Sequence, residues 1–276
     1  MPACDSHLHI LDPARFPFSD GTSYLPPAAE CASVEELTAL HDAHGITHAL
    51  LVQPSSGYGL DNACLLHALT AGRGRFRGLV QLPPEATEET IATLAAQGCV
   101  GVRLDLAGKG LVQLERWQAS GLFARLKTAD WIVGVLGRGM QWVEAAPMLR
   151  RTGLRLMIDH CGLPDVAQGV EQAGFQAVLD LLRAGAAVKL SGADRWAPGP
   201  WPFAAATPFV AACIEAAAPE NLLWGSDWPH PQYFKPMPND VDLLDQMLDW
   251  VPDEKVRHLI FVDNPAELFG FPPIRG

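Results

Sequence analysis

The 276-residue chain carries 31 acidic against 20 basic side chains, and a net charge of −11 argues against a nucleic-acid backbone or an anionic membrane as partner. With 49% hydrophobic residues it can bury a large core, and its length is normal for one α/β barrel. An acidic protein binds an anionic substrate only through a local cluster of Arg or Lys, so such a cluster becomes a search target.

In chain order, eight short apolar runs read as strands: 3–10, 47–53, 76–82, 100–105, 131–137, 154–160, 186–192 and 221–227. They are nearly continuous rather than alternating, as parallel strands buried on both faces require. Helical patterns separate them. Ser33 and Glu36 have capping-box spacing and open a helix that closes on Gly45. Segments 61–72, 87–98, 142–153, 175–185 and 208–219 follow a similar plan, and a last helical region runs from about 240 to 269. Eight strands alternating with helices predict a (β/α)8 TIM barrel formed by a single domain over 1–276. An open doubly wound sheet is the alternative, weakened because no Gly-rich phosphate loop follows the first strand. Pro-rich stretches 25–27, 198–202 and 229–238 read as loops over one barrel face.

The six cysteines, Cys4, Cys31, Cys64, Cys99, Cys161 and Cys213, are scattered and read as reduced thiols. No signal peptide and no run of about 18 apolar residues is read, so a cytoplasmic protein is expected.

A TIM barrel works at the C-terminal ends of its strands. Those ends carry His7 and His9, then Gln53, Ser55 and Ser56, then Arg103 and Asp105, Asp159 and His160, Lys189, Ser191 and Arg195, and finally Asp227 and His230. His7, His9, His160 and Asp227 form a three-nitrogen, one-oxygen set able to hold one Zn²⁺ or Mn²⁺ with a position left for water. Asp227 is the candidate general base. Arg103, Lys109 and Arg195 are the cationic cluster an anionic substrate needs, with Arg138 as a further candidate. His230 reads as a loop residue outside the reacting set.

The segments "DSHLHI" (5–10), "IDH" (158–160), "WGSDWPHP" (224–231) and the tail "FVDNPAELFGF" (261–271) resemble the amidohydrolase superfamily, in its amidohydrolase-2 branch. Segments 12–29, 52–62, 101–106 and 188–195 are similar to the 2-pyrone-4,6-dicarboxylate lactonase group. The resemblance implies a hydrolase opening a carboxylate-bearing lactone. It matches Arg103 and Arg195 to carboxylate-binding arginines, puts Lys109 where a further arginine is usual, and makes Tyr24 and Ser55 substrate-contacting loop residues. It also implies catalytic roles for Asp227, His160, His7 and His9, with a single divalent ion or none. The group's strand-5 tyrosine is missing here, and Arg138 follows that strand instead. Two other readings stand beside it: a metal-dependent decarboxylase of an unsaturated or aromatic acid, and a silent barrel that binds a small acid. Branch decarboxylases tend to carry another histidine near strand 7, which "VKLSGADRW" (188–196) lacks.

Overall fold

The structure, a computed structural model, describes residues 3–22 and 24–272; the remainder of the expected 1–276 domain lies outside the described residues. Eight parallel strands follow one another round the sheet in sequence order. They are β1 (Ala3–Leu8), β2 (Ile46–Val52), β3 (Phe76–Val80), β4 (Cys99–Asp105), β5 (Ile132–Leu136), β6 (Arg155–Ile158), β7 (Ala187–Lys189) and β8 (Leu222–Leu223). The seam from β8 back to β1 is bridged by Ser6 N–H donating to Trp224 O at 2.8 Å and Asp227 N–H to His7 O at 2.7 Å. The result is the TIM barrel expected.

Helices α1 (Val34–His44), α2 (Ala63–Ala71) and α3 (Glu88–Ala96) link the first four strands. The capping box at α1 is present: Glu36 N–H donates to Ser33 Oγ, Ser33 N–H donates to the Glu36 carboxylate, and Gly45 ends the helix at φ +70°. After β4 come α4 (Leu106–Lys109), α5 (Leu111–Ala119) and α6 (Leu122–Thr128). The sequence patterns above do not include these three, because Gly110 and the Ser120–Gly121 break cut the apolar period into pieces shorter than a regular helix face. Helices α7 (Gln141–Thr152), α8 (Ala173–Arg183), α9 (Ala193–Trp196), α10 (Thr207–Ala216), α11 (Asp240–Trp250), α12 (Glu254–His258) and α13 (Asn264–Phe269) complete the ring.

Two packing layers place the site. Most buried apolar side chains lie in one core joining strands to helices. A second cluster, with Cys4, Leu50, Val52, Leu79, Ile132, Met157 and Leu223, is closed by Phe269 and Phe271. Phe271 lies over Arg77 and against His48, both early in their strands. The C-terminal tail therefore plugs the bottom of the barrel, and the opposite end remains open for chemistry. No described helix is long and apolar enough to cross a membrane. All six cysteines are free thiols.

Candidate active site

The strands end earlier than the apolar runs suggest, and the chemistry sits in the turns that follow. β6 stops at Ile158 and β8 at Leu223. His160 (φ +53°) and Asp227 (φ +66°) then adopt left-handed backbone. That conformation turns polar side chains over the open mouth instead of letting them continue the ladder. Gly192, also at positive φ, leaves room for His160: a Cβ there would lie 2.7 Å from the His160 Nδ1.

Asp227 is the hub. Its Oδ1 lies 3.4 Å from His7 Nε2, 3.3 Å from His9 Nε2 and 3.8 Å from His160 Nε2, while its Oδ2 accepts from Arg195 Nε. Burial works against the Asp227 carboxylate, but Arg195, His160, His9 and His7 outweigh it and hold the group well below the usual carboxylate range. Beneath this layer is a buried ionic set. Asp159 Oδ1 meets Lys189 Nζ at 2.9 Å and His7 Nδ1 at 3.2 Å; its Oδ2 is 3.6 Å from Arg103 Nε. Lys189 Nζ is also 2.9 Å from His7 Nδ1. Burial opposes the Asp159 charge as well, yet Lys189, His7 and Arg103 hold its carboxyl well below its ordinary value.

The mouth is a cavity of about 630 Å³ lined by His9, Ser55, Arg103, Arg138, His160, Arg195, Trp196, Asp227 and Phe234 among others. His7, fully buried, is not part of this lining. It stands against Asp227, with Nε2 3.4 Å from Oδ1, rather than opening onto the cavity.

The cationic cluster is also redistributed. Arg103 lines the cavity, with Nη1 donating to Gln53 O at 3.5 Å and no bond from Nη2 among the described residues. Arg195 lines it too, but is committed to Asp227 and to Pro231 O. Lys109 does not line it: its Nζ donates to Gln81 Oε1 at 2.6 Å, Gln81 donates to Ser55 Oγ, and Ser55 donates to Asp105. Tyr24 is likewise outside, its hydroxyl on the Glu30 carboxylate and its ring behind Phe234. Arg138, exposed at the rim, has no side-chain hydrogen bond among the described residues. His230 is buried, faces Asp240 at 3.1 Å and does not line the cavity.

The residues the sequence left without a role are Asp159 and Lys189. Their signal is a charge inside a buried strand or at its end, since an unpaired buried charge is costly. Phe234 and Gln232, on a Pro-rich loop, carry no such signal.

A family model described as amidohydrolase matches residues 4–271. The chain belongs to the amidohydrolase family. A 4-sulfomuconolactone hydrolase of Hydrogenophaga intermedia is 33% identical over 275 residues, covering 96% of this chain and 88% of the relative. The D-galactarolactone isomerase of Agrobacterium fabrum is 30% identical and covers 99% and 92%. A crystal structure from Acinetobacter baumannii, described as a probable 2-pyrone-4,6-dicarboxylic acid hydrolase with citric acid bound, superposes with TM-score 0.87. It is 30% identical, over 98% of this chain and all of the other.

In this amidohydrolase the donor set is suited to one divalent ion. His7, His160 and Asp227 offer ligand atoms within 4.8 Å of one another. His9 Nε2 approaches Asp227 from the side, outside that mutual set. The Nδ1 atoms sit against Asp159 Oδ1, Val52 O (2.7 Å) and Ser191 Oγ (3.0 Å) for His7, His9 and His160. Donation outward from Nδ1 leaves Nε2 free as a ligand, and His7 Nε2 is a buried atom with no hydrogen-bond partner. His7 joins only in the tautomer that donates to Asp159. A charged Lys189 favours the other.

These imidazoles are held neutral. Burial lowers His7 well below its ordinary value and lowers His9; it takes His160 down to about 4, against the opposing charges of Asp227 and Asp159. Between pH 6.5 and about 4 the unfolded chain therefore binds protons the folded protein refuses. Stability must fall as pH falls through that window, before the depressed carboxylates titrate. The urea midpoint at pH 4.5 is expected to lie below that at pH 7; equal midpoints would contradict neutral burial.

Proposed function

We propose that this amidohydrolase opens a lactone bearing at least one carboxylate or similar anionic group, by attack of water on the ring carbonyl. The observation that carries it is the placement of Arg103, with an uncommitted guanidinium edge, in the same cavity as His9, His160 and Asp227. Full-length similarity to enzymes named for lactones supports the same reading. Arg103 holds the substrate's acidic group, and Arg138 meets a second charge at the rim.

The histidines divide the work by their hydrogen bonds. A backbone carbonyl only accepts, so His9 Nδ1 carries the proton given to Val52 O, and its Nε2 is a bare acceptor. A water donating one hydrogen to His9 Nε2 and one to Asp227 Oδ1 has its lone pair free for the carbonyl carbon. His160, with Ser191 donating to its Nδ1, presents Nε2–H to the carbonyl oxygen as negative charge develops. Asp227 takes the water proton as the new C–O bond forms. It returns that proton to the ring oxygen as the old C–O bond breaks.

In their other tautomers His7 and His160, with Asp227, would hold one zinc or manganese ion, which would supply carbonyl polarisation and a more acidic water. Six free thiols support a reducing, cytoplasmic location.

Arg103→Met tests the substrate class. It is expected to raise KM for an acid-bearing lactone by about 10–100-fold, the worth of a charged hydrogen bond, with little change for an uncharged lactone. Equal effects on both would contradict anion recognition by Arg103.

A further inference from the structure

Asp5 is a fully buried carboxylate outside the cavity lining, yet it grips the backbone next to the central site residues. Its Oδ1 accepts the N–H of His7 and the N–H of Ser226, each at 3.0 Å. Its Oδ2 accepts the Ser226 hydroxyl at 2.5 Å, and Ser226 Oγ accepts the N–H of Trp228 at 3.0 Å. One side chain of β1 therefore holds His7 and, directly or through Ser226, the residues on both sides of Asp227. His41 of α1 stands behind it, Nε2 3.7 Å from Oδ2.

This is where the barrel most needs a clasp. β8 has only two ladder residues, and Asp227 follows in left-handed backbone at φ +66°. A non-glycine residue there is strained unless its surroundings hold it. The two chain segments also approach closely: a Cβ on Gly225 would lie 2.6 Å from the His7 N and Cβ.

We propose that Asp5 is a positioning residue for this site. Its carboxylate clasps β1 to the turn after β8 and sets the approach of His7 to Asp227. The activity readout rests on the lactone reading; the spectroscopic readout does not.

The test compares Asp5→Ala and Asp5→Asn with the wild type, using kcat and KM on a lactone the wild type opens, ¹⁵N NMR of the histidine rings, and thermal melts. Asp5→Ala is expected to lose about 10²-fold in kcat with KM within about threefold, as a displaced reacting group does. The His7 ring signals shift while those of half-exposed His258 stay in place. Asp5→Asn keeps an oxygen for both amides and offers N–H to Ser226 Oγ, so it remains within about fivefold of wild type. Unchanged kcat and unmoved His7 signals in Asp5→Ala would overturn the proposal. Should Asp5→Ala fail to fold, Ser226→Ala replaces it: a loss in kcat at constant KM with a His7 shift supports the clasp, and wild-type values overturn it. Should the wild type open no lactone, the lactone reading fails, and the His7 signals alone decide the role of Asp5.

Discussion

Asp227→Asn is expected to lower kcat by about 10³-fold, within the range for removing a general base, while KM for an acid-bearing lactone changes little. Asparagine is the informative replacement for a structural reason. Residue 227 sits at φ +66°, and Asn tolerates left-handed backbone at least as well as Asp, so the turn is preserved. An alanine would confound lost chemistry with strain. The amide keeps an oxygen toward the imidazoles but can no longer take a proton from water. It also leaves the Arg195 guanidinium without its carboxylate; Arg195 is 20% exposed, so water takes up part of that loss. The melting temperature should therefore fall by only a few degrees. Near wild-type kcat would show that Asp227 is not the base.

The largest effect on stability is expected from Lys189→Met, which fills similar space but removes the ammonium from a fully buried set. Breaking one side of such a set costs about 3–5 kcal/mol, or roughly 10 °C in Tm for a chain this long. The cost arises mainly because Asp159 remains charged and buried, facing His7 and a more distant Arg103. Removing both charges in Lys189→Met/Asp159→Leu should recover much of the loss, and the double-mutant cycle should show strong coupling. Additive losses would mean that the two groups do not act as a pair. A chemical consequence accompanies the stability change: without Lys189, His7 Nδ1 has Asp159 as its remaining partner and becomes its donor.

Much of this was legible in the sequence because each barrel strand is buried on both faces. The runs around Leu50 and Val133 announce themselves by composition alone, and Ser33, Glu36 and Gly45 mark helix ends through local hydrogen bonding. The H-x-H pair and Asp227 were legible as strand-end polar residues. Which of them faces the cavity was not. His7 and His9 are two apart and both reach Asp227, yet only His9 lines the mouth, because the short β8 and its left-handed turn put Asp227 over His7. Long-range pairing is similarly silent in sequence. In the sequence Arg195 and Lys109 belong to a cationic cluster for an anionic substrate; the pairing of Arg195 with Asp227 and of Lys109 with Gln81 is visible only in the structure. The hydrogen bond from Tyr24, which the resemblance makes a substrate contact, to Glu30 six residues away is equally invisible in the sequence.

The proposed reaction is the opening of a charged lactone by water in this cavity. The most direct measurement is turnover of a small panel of lactones, with and without acidic groups, by the purified protein in H₂¹⁸O, with the products weighed by mass spectrometry. The account predicts that an acid-bearing lactone is opened, that the new carboxylate carries one ¹⁸O atom from solvent, and that Asp227→Asn suppresses the labelled product. A rearranged lactone with no label would show that a substrate hydroxyl, not water, attacks. Turnover confined to uncharged lactones, or none across the panel, would contradict the account outright.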